Sequence, residues 1–385
     1  MNKRAYWLVF IFLVGLGGIS FLVRPRSKPV IQANLQSGPD SIGHFERVTG
    51  PAPLRFPLDL GAHPAFQTEW WYYTGNLTAA TGEEFGYQLT FFRRALVGSD
   101  QRQERGSDWA VEQVYLANFA LTDGNRGRFV AYQRMERGAA GLAGVEITPA
   151  LRVWLHDWSV QADGSTQFHL TAKEGGDHID LILEDGKGIL LQGDQGYSRK
   201  GPEEGNASIY FSQTRLATRG SLETGGKSYW VGGDSWMDHE YSTSALSVGQ
   251  VGWDWFALQL DDGSELMVYA IRREDGSMDP YSQGSVIYPD GSTRLLHPAD
   301  FHITVQDIWT SPVSGGKYPA QWTVSVPSED LELQVQPLLA DQELNLSFVY
   351  WEGAVRITGT RDGLPIRGKG YVELTGYAQS LEDRF

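Results

Sequence analysis

"WDWFALQLDDGSELMVYAIRR", from Trp253 to Arg273, reads as one hairpin. Two runs rich in aromatic and aliphatic residues flank Asp262-Gly263, a pair that tolerates the positive φ of a tight turn. The second run closes on two arginines. A related phrase occurs earlier, "WWYYTGNLTAATGEEFGYQLTFFRR" from Trp70 to Arg94. Trp70 aligns with Trp253, Tyr72 with Trp255 and Leu77 with Leu260, and both phrases end in paired arginines. The repeat predicts two related halves.

The rest of the body carries the same punctuation. Asp-Gly pairs stand at 123, 163, 185, 262, 275, 290 and 362 between apolar runs. Such pairs mark antiparallel β structure, and no stretch of the body sustains the 3.6-residue spacing of a long helix. "YVELTGY" (Tyr371 to Tyr377) and "QWTVSVP" (from Gln321) alternate as half-buried strands do. "LRVWLHDWSVQA" (Leu151 to Ala162), read as one strand, puts Trp154 and Trp158 on one face. Strands of this kind close into barrels or sandwiches. The expected fold is therefore all-β. The polar, Gly-rich stretch Ala217–Ser228 marks the expected seam, giving halves of 51–222 and 223–385.

Composition bounds the rest. The 385 residues carry a net charge of −15, and the five basic groups within residues 1–28 leave the remainder at −20. So acidic a body repels phosphate backbones, which argues against nucleic acid as a partner. With no cysteine in the chain, disulfides, thiolate metal sites and cysteine nucleophiles are excluded. "MNKR" precedes nineteen uncharged residues, Ala5 to Val23, and then Arg24, Arg26 and Lys28. That length and flank predict an N-terminal hydrophobic helix over 1–28 acting as an uncleaved anchor, with a cleaved signal peptide as the alternative. Either reading puts the body outside the cytoplasm, in the cell envelope. Residues 29–50 lack periodicity and read as a spacer.

The chemistry-bearing phrase is "GDSWMDHEYS", Gly233 to Ser242. On a strand, Asp238 and Glu240 face one way and His239 the other, so the three cannot ligate one metal on a straight backbone. The histidines show none of the paired spacings of zinc sites, and no metal is expected. A histidine beside carboxylates suits proton transfer, or it simply pins a loop by bonding Asp254 or Asp234. No G-x-S-x-G elbow, phosphate loop or dinucleotide fingerprint is present, so no cofactor is expected. Of Trp70, Trp71, Tyr72 and Tyr73, two must turn to a core and two to a second surface, such as a cavity or a seam between halves.

Five phrases in order, "EWWYYTGNL", "GYQLTFFR", "WMDHEYS", "GWDWFALQL" and "GKGYVELTGY", resemble the AttH-like proteins, relatives of the carotenoid 1,2-hydratases (hydroxyneurosporene synthases). The resemblance spans roughly residues 55 to 380. It implies two lipocalin-like antiparallel β-barrels packed together. It also implies cofactor-free addition of water to an isoprenoid double bond, with Asp238, His239, Glu240, Asp254 and Tyr269 as candidate acid–base residues. Glu69, Trp70, Tyr72, Trp236, Tyr241, Trp253 and Trp255 are then the candidate ligand-binding residues. The leading expectation is an envelope protein that binds an apolar lipid or isoprenoid, with a membrane transport complex as a further partner. The alternative is a hydratase or hydrolase acting on a similar molecule.

Overall fold

The computed structural model describes residues 44–98, 111–244 and 246–381. The apolar stretch Ala5–Val23 and most of the 29–50 spacer lie outside the described residues, and among those described no helix is long and apolar enough to cross a membrane. Period-two patterning carries most of the chain into strands.

The first half supplies β1 (Thr68–Ala79), β2 (Glu84–Ala95), β3 (Gln113–Asp123), β4 (Arg128–Arg137), β5 (Ala143–Glu146), β6 (Arg152–Leu155) and β7 (Trp158–Asp163). There follow β8 (Gln167–Glu174), β9 (Asp177–Asp185), β10 (Leu190–Leu191), β11 (Tyr197–Arg199), β12 (Ala207–Thr224) and β13 (Lys227–Ser242). The second half supplies β14 (Gln250–Leu260), β15 (Glu265–Arg273), β16 (Gln283–Ile287), β17 (Thr293–Leu296) and β18 (His302–Thr310). It ends with β19 (Lys317–Val326), β20 (Leu331–Pro337), β21 (Glu343–Asn345), β22 (Val349–Arg361) and β23 (Leu364–Leu374).

Hydrogen bonding arranges these in two antiparallel sheets. The first runs β4-β3-β2-β1-β13-β12-β9-β8-β7-β6-β5, and the second runs β17-β16-β15-β14-β23-β22-β20-β19-β18. The two orders share one plan. In each, the opening strand (β1, β14) lies between its hairpin partner (β2, β15) and the last strand of its half (β13, β23). That last strand then pairs with the one before it (β12, β22). The Trp70 and Trp253 phrases thus occupy equivalent places, as the repeat predicted. The first sheet curls into a nearly closed lipocalin-like barrel and the second into a half-barrel.

Every Asp-Gly pair falls at a strand end. At the β22–β23 connection Asp362 and Gly363 have φ of 50° and 73°, the left-handed pair of a two-residue hairpin. Two expectations are corrected. The stretch Ala217–Ser228 is no seam but the tip of the β12–β13 hairpin, turned at Gly225-Gly226 with both φ positive. A Gly-Gly hairpin turn with polar outward positions is as polar and Gly-rich as a linker, so composition cannot separate the two, although Leu216–Glu223 pair with β9 and Leu222 is buried in the barrel. The chain crosses between the sheets after Ser242 and before Gln250. Likewise Trp154 and Trp158 belong to different strands, because the chain reverses at His156-Asp157. Trp158 pairs with Leu155 inside the barrel, and Trp154 takes the opposite face.

Three of the four apolar clusters among the described residues make up most of the interior. One fills the barrel around Trp71, Tyr73, Phe119, Trp158 and Phe211. A second fills the half-barrel around Phe256, Trp322, Trp351 and Val372. The third lies between the sheets and joins Tyr72, Tyr210 and Trp236 of the first to Trp255, Tyr269 and Tyr371 of the second.

Candidate active site

The phrase "WMDHEYS" divides between two environments. Along β13, Met237 and Tyr241 join the barrel core and His239 packs against its Phe211 and Trp71, whereas Trp236, Asp238 and Glu240 face the second sheet. On β1, Trp71 and Tyr73 turn inward while Trp70 and Tyr72 face outward.

Inside the barrel the centre is Glu69, fully buried. His239 Nε2 and His63 Nδ1 each lie 2.8 Å from its Oε1, Arg93 Nε donates to Oε2 at 2.8 Å, and the His63 backbone N–H donates to Oε2 at 2.9 Å. Burial alone would raise the Glu69 pKa. The Arg93 guanidinium and the imidazole bonds outweigh it and hold the carboxyl far below the usual range. Burial keeps His239 below its ordinary value, with Glu69 opposing. Tyr241 stacks on His63 with ring centres 3.7 Å apart. The nearest ligating atoms of His63, Glu69 and His239 lie within 4.8 Å of one another, close enough to hold a metal ion. Four donors already occupy the Glu69 carboxylate, however, and Arg93 supplies the positive charge a metal would bring. The cluster is an ion network that ties the segment before β1 to the barrel, with Arg93 Nη1 and His239 Nδ1 left without hydrogen-bond partners.

Between the sheets lies a cavity of about 250 Å³. Aromatic residues from both sheets line it, among them Trp70, Tyr72, Trp253, Trp255 and Tyr350. Carboxyl groups enter from both sides. From the first sheet, Asp238 accepts hydrogen bonds from Trp236 Nε1 at 2.7 Å, from Tyr210 Oη at 2.7 Å, and from Ser212. Burial pushes Asp238 up to about 7, even against these three donors. Glu240 instead pairs with Lys200, whose Nζ lies 3.0 Å away and 4.2 Å from the centre of the Tyr269 ring.

From the second sheet come Glu352 on β22 and Glu373 on β23. They are register partners, so their side chains share the face toward the cavity. Burial raises Glu352 well above the carboxylate range, and the neighbouring Glu373 adds to the rise. Burial also brings Glu373 to about 7, while a bond from Trp253 Nε1 (3.2 Å) opposes the shift. Three residues that line the cavity each carry a polar atom without a hydrogen-bond partner: Tyr72 Oη, Glu352 Oε1 and Arg93 Nη1.

The cavity therefore gathers Asp238, Glu240, Tyr269, Trp70, Tyr72, Trp253 and Trp255, with Trp236 behind Asp238. Four candidates fall elsewhere. His239, Glu69 and Tyr241 meet one another inside the barrel, because odd-numbered positions of β1 and β13 point there. Asp254 points away from the cavity, bonded to Arg272 Nε (2.8 Å) and Tyr377 Oη (2.9 Å). The same alternation explains it, since Trp253 and Trp255 on either side face inward. Lys200, Tyr210, Glu352 and Glu373 were not among the candidates. For the two glutamates a signal existed: each is a lone carboxylate within an apolar strand, "VYWEGAV" and "YVELTGY". Lys200 and Tyr210 carried none.

Fold and site together define a tandem lipocalin-like protein with an acid-lined aromatic cavity between its halves. Residues 47–377 match the AttH-like family model, and the chain belongs to that family. A Nitrosomonas europaea protein whose crystal structure was solved as a candidate AttH is 35% identical, with a TM-score of 0.76 over 86% of this chain and 100% of that one. Kievitone hydratase from Nectria haematococca shares the fold at 15% identity, with a TM-score of 0.64 over 87% of this chain and 96% of that one. No curated protein sequence matches significantly.

Proposed function

We propose that the cavity between the sheets carries out cofactor-free acid–base chemistry on an apolar, unsaturated molecule, adding or removing water. The observation that carries this reading is the set of three carboxyl groups, Asp238, Glu352 and Glu373, displaced toward or above neutrality around an apolar space. Carboxyl groups buried in such surroundings cost stability, which marks them as candidates for a site, and pKa values near neutrality suit groups that both give and take protons. In hydration, one carboxyl group delivers a proton to carbon, and another accepts a proton from the water that bonds to the adjacent carbon. The sum is one added water, with no change of oxidation state. That a protein of the same fold is a hydratase by name is consistent with this chemistry. The body would work in the cell envelope, as the apolar N-terminal stretch suggests.

The aromatic lining favours one other reading, a carrier that holds the same kind of molecule unchanged. Isotope-labelled water separates the two. The purified protein is incubated with a panel of unsaturated isoprenoids and aryl alkenes in labelled water and analysed by mass spectrometry. Products carrying labelled oxygen, lost in Glu373→Gln, support the enzyme. Stoichiometric ligand of unaltered mass on the native protein supports the carrier instead.

A further inference from the structure

Two of these unpartnered atoms, one from each sheet, narrow the substrate class. Tyr72 Oη comes from β1 of the first sheet and Glu352 Oε1 from β22 of the second, and both residues are more than nine-tenths buried. The two side chains lie beside each other, with Tyr350 also bordering Glu352. Tyr210 Oη donates to Asp238 and accepts from Trp255 Nε1, and Tyr350 Oη accepts from Asn118 Nδ2 at 2.9 Å. A buried polar atom without a partner costs about 1–3 kcal/mol, so two in one apolar cavity call for a ligand atom that satisfies both.

We propose, resting on the acid–base reading above, that Tyr72 and Glu352 donate hydrogen bonds to one carbonyl oxygen of the substrate, so that the double bond undergoing hydration is conjugated to that carbonyl. A phenol beside an un-ionised carboxyl group in an apolar site is a known way to stabilise an enolate oxygen. The acidity of the site points the same way. Protonating an isolated alkene demands a strong acid, whereas carboxyl groups displaced upward are weaker acids than usual and better suited to donating hydrogen bonds. In the conjugate addition, the water oxygen bonds to the carbon β to the carbonyl and a carboxylate, Glu373 or Asp238, takes the water proton. The π electrons move onto the carbonyl oxygen, held by the two donors. The newly protonated acid then returns its proton to the α carbon, and one water has been added.

The test uses the intact protein with two apolar probes, chalcone, which carries the conjugated carbonyl, and stilbene, which lacks it. Binding is read from quenching of tryptophan fluorescence. Chalcone is expected to bind roughly tenfold more tightly, the worth of one to two hydrogen bonds. That preference is expected to vanish in Tyr72→Phe and in Glu352→Leu. A second readout needs no variant: the infrared carbonyl band of isotope-labelled chalcone moves to lower frequency on binding if two donors hold it. Equal binding of the two probes with an unshifted carbonyl band overturns the proposal. Labelled-water incorporation into isolated alkenes without any carbonyl preference would overturn it too, while leaving the acid–base reading intact. Carbonyl preference without turnover of any substrate would sink the acid–base reading and keep the carbonyl site.

Discussion

Glu352 and Glu373 stand directly opposite each other on β22 and β23, with both side chains turned to the cavity between the two sheets. Like charges in that relationship repel, and the low dielectric around them makes the repulsion costly. A neutral Glu352 is how the pair lives with its position.

The pair makes stability depend on pH in an unusual direction. Asp238, Glu352 and Glu373 have folded-state pKa values above their ordinary ones, so the native state binds more protons than the unfolded chain. For Asp238 and Glu373 the resulting contribution to stability is fully present below about pH 4 and is lost as pH rises through about 7, on the order of 1.4 kcal/mol per unit of displacement for each group; Glu352 adds to it in the same direction. Glu69 acts oppositely: its depressed pKa contributes stability above its unfolded value, and that contribution is lost as pH falls. Urea midpoints measured between about pH 4 and 8 should fall with rising pH, and Asp238→Asn combined with Glu373→Gln should flatten the slope. An unchanged slope in the double variant would show that these carboxyl groups titrate normally.

Glu69→Gln should destabilise strongly without touching the cavity. It leaves the buried Arg93 without its counter-charge, a loss of about 3–5 kcal/mol for a broken buried ion pair. Chemical denaturation checks the size, and chalcone affinity at a temperature where the variant is folded should stay within a few-fold of wild type.

His239→Ala separates barrel from cavity in the same way. Its ring packs against Trp71 and Phe211 inside the barrel, so stability should drop by roughly 1–3 kcal/mol while turnover per folded molecule is retained. Abolished turnover in a variant with native circular dichroism would place the histidine in the chemistry instead.

Tyr210→Phe removes the hydroxyl that donates to Asp238 at 2.7 Å. That bond favours the carboxylate, so its loss should move the Asp238 midpoint above about 7. The infrared band of the protonated carboxyl group, followed through a pH titration and assigned by its absence in Asp238→Asn, reports the shift. A downward shift would contradict the donor role.

Two asparagines tether the sheets across the seam. Asn76 Nδ2 donates to the Gly370 carbonyl and Asn118 Nδ2 to Tyr350 Oη, each at 2.9 Å. Replacing both by alanine should cost about 1 kcal/mol per bond and weaken chalcone binding, because the cavity walls belong to different sheets. Full retention of affinity would mean that the apolar seam and its other polar bonds, such as Thr122 to Gln342 and Gln259 to the Ser235 carbonyl, position the walls without them.

Much of this architecture was legible beforehand because strands have a period of two residues. The Asp-Gly pairs located turns, the Trp70 and Trp253 phrases revealed the doubled plan, and alternation alone separated His239 from Asp238 and Glu240. The seam was misread at Ala217–Ser228, where a Gly-Gly hairpin turn with polar outward positions has the same composition as a linker. Glu69 and Asp254 were misplaced for a different reason. Each neighbours aromatic residues that do reach the cavity, and one step along a strand is the difference between its two faces.

The sequence by itself determined which residues form strands, where those strands turn, and which side chains share a face, because these follow from local periodicity and backbone preference. Only the tertiary structure decided which faces meet. Tyr72 and Glu352 lie on strands 280 positions apart in the chain. They come to one cavity because two separately built sheets pack their aromatic faces together, and burial at that seam, absent from any single strand, is what displaces the acids toward neutrality.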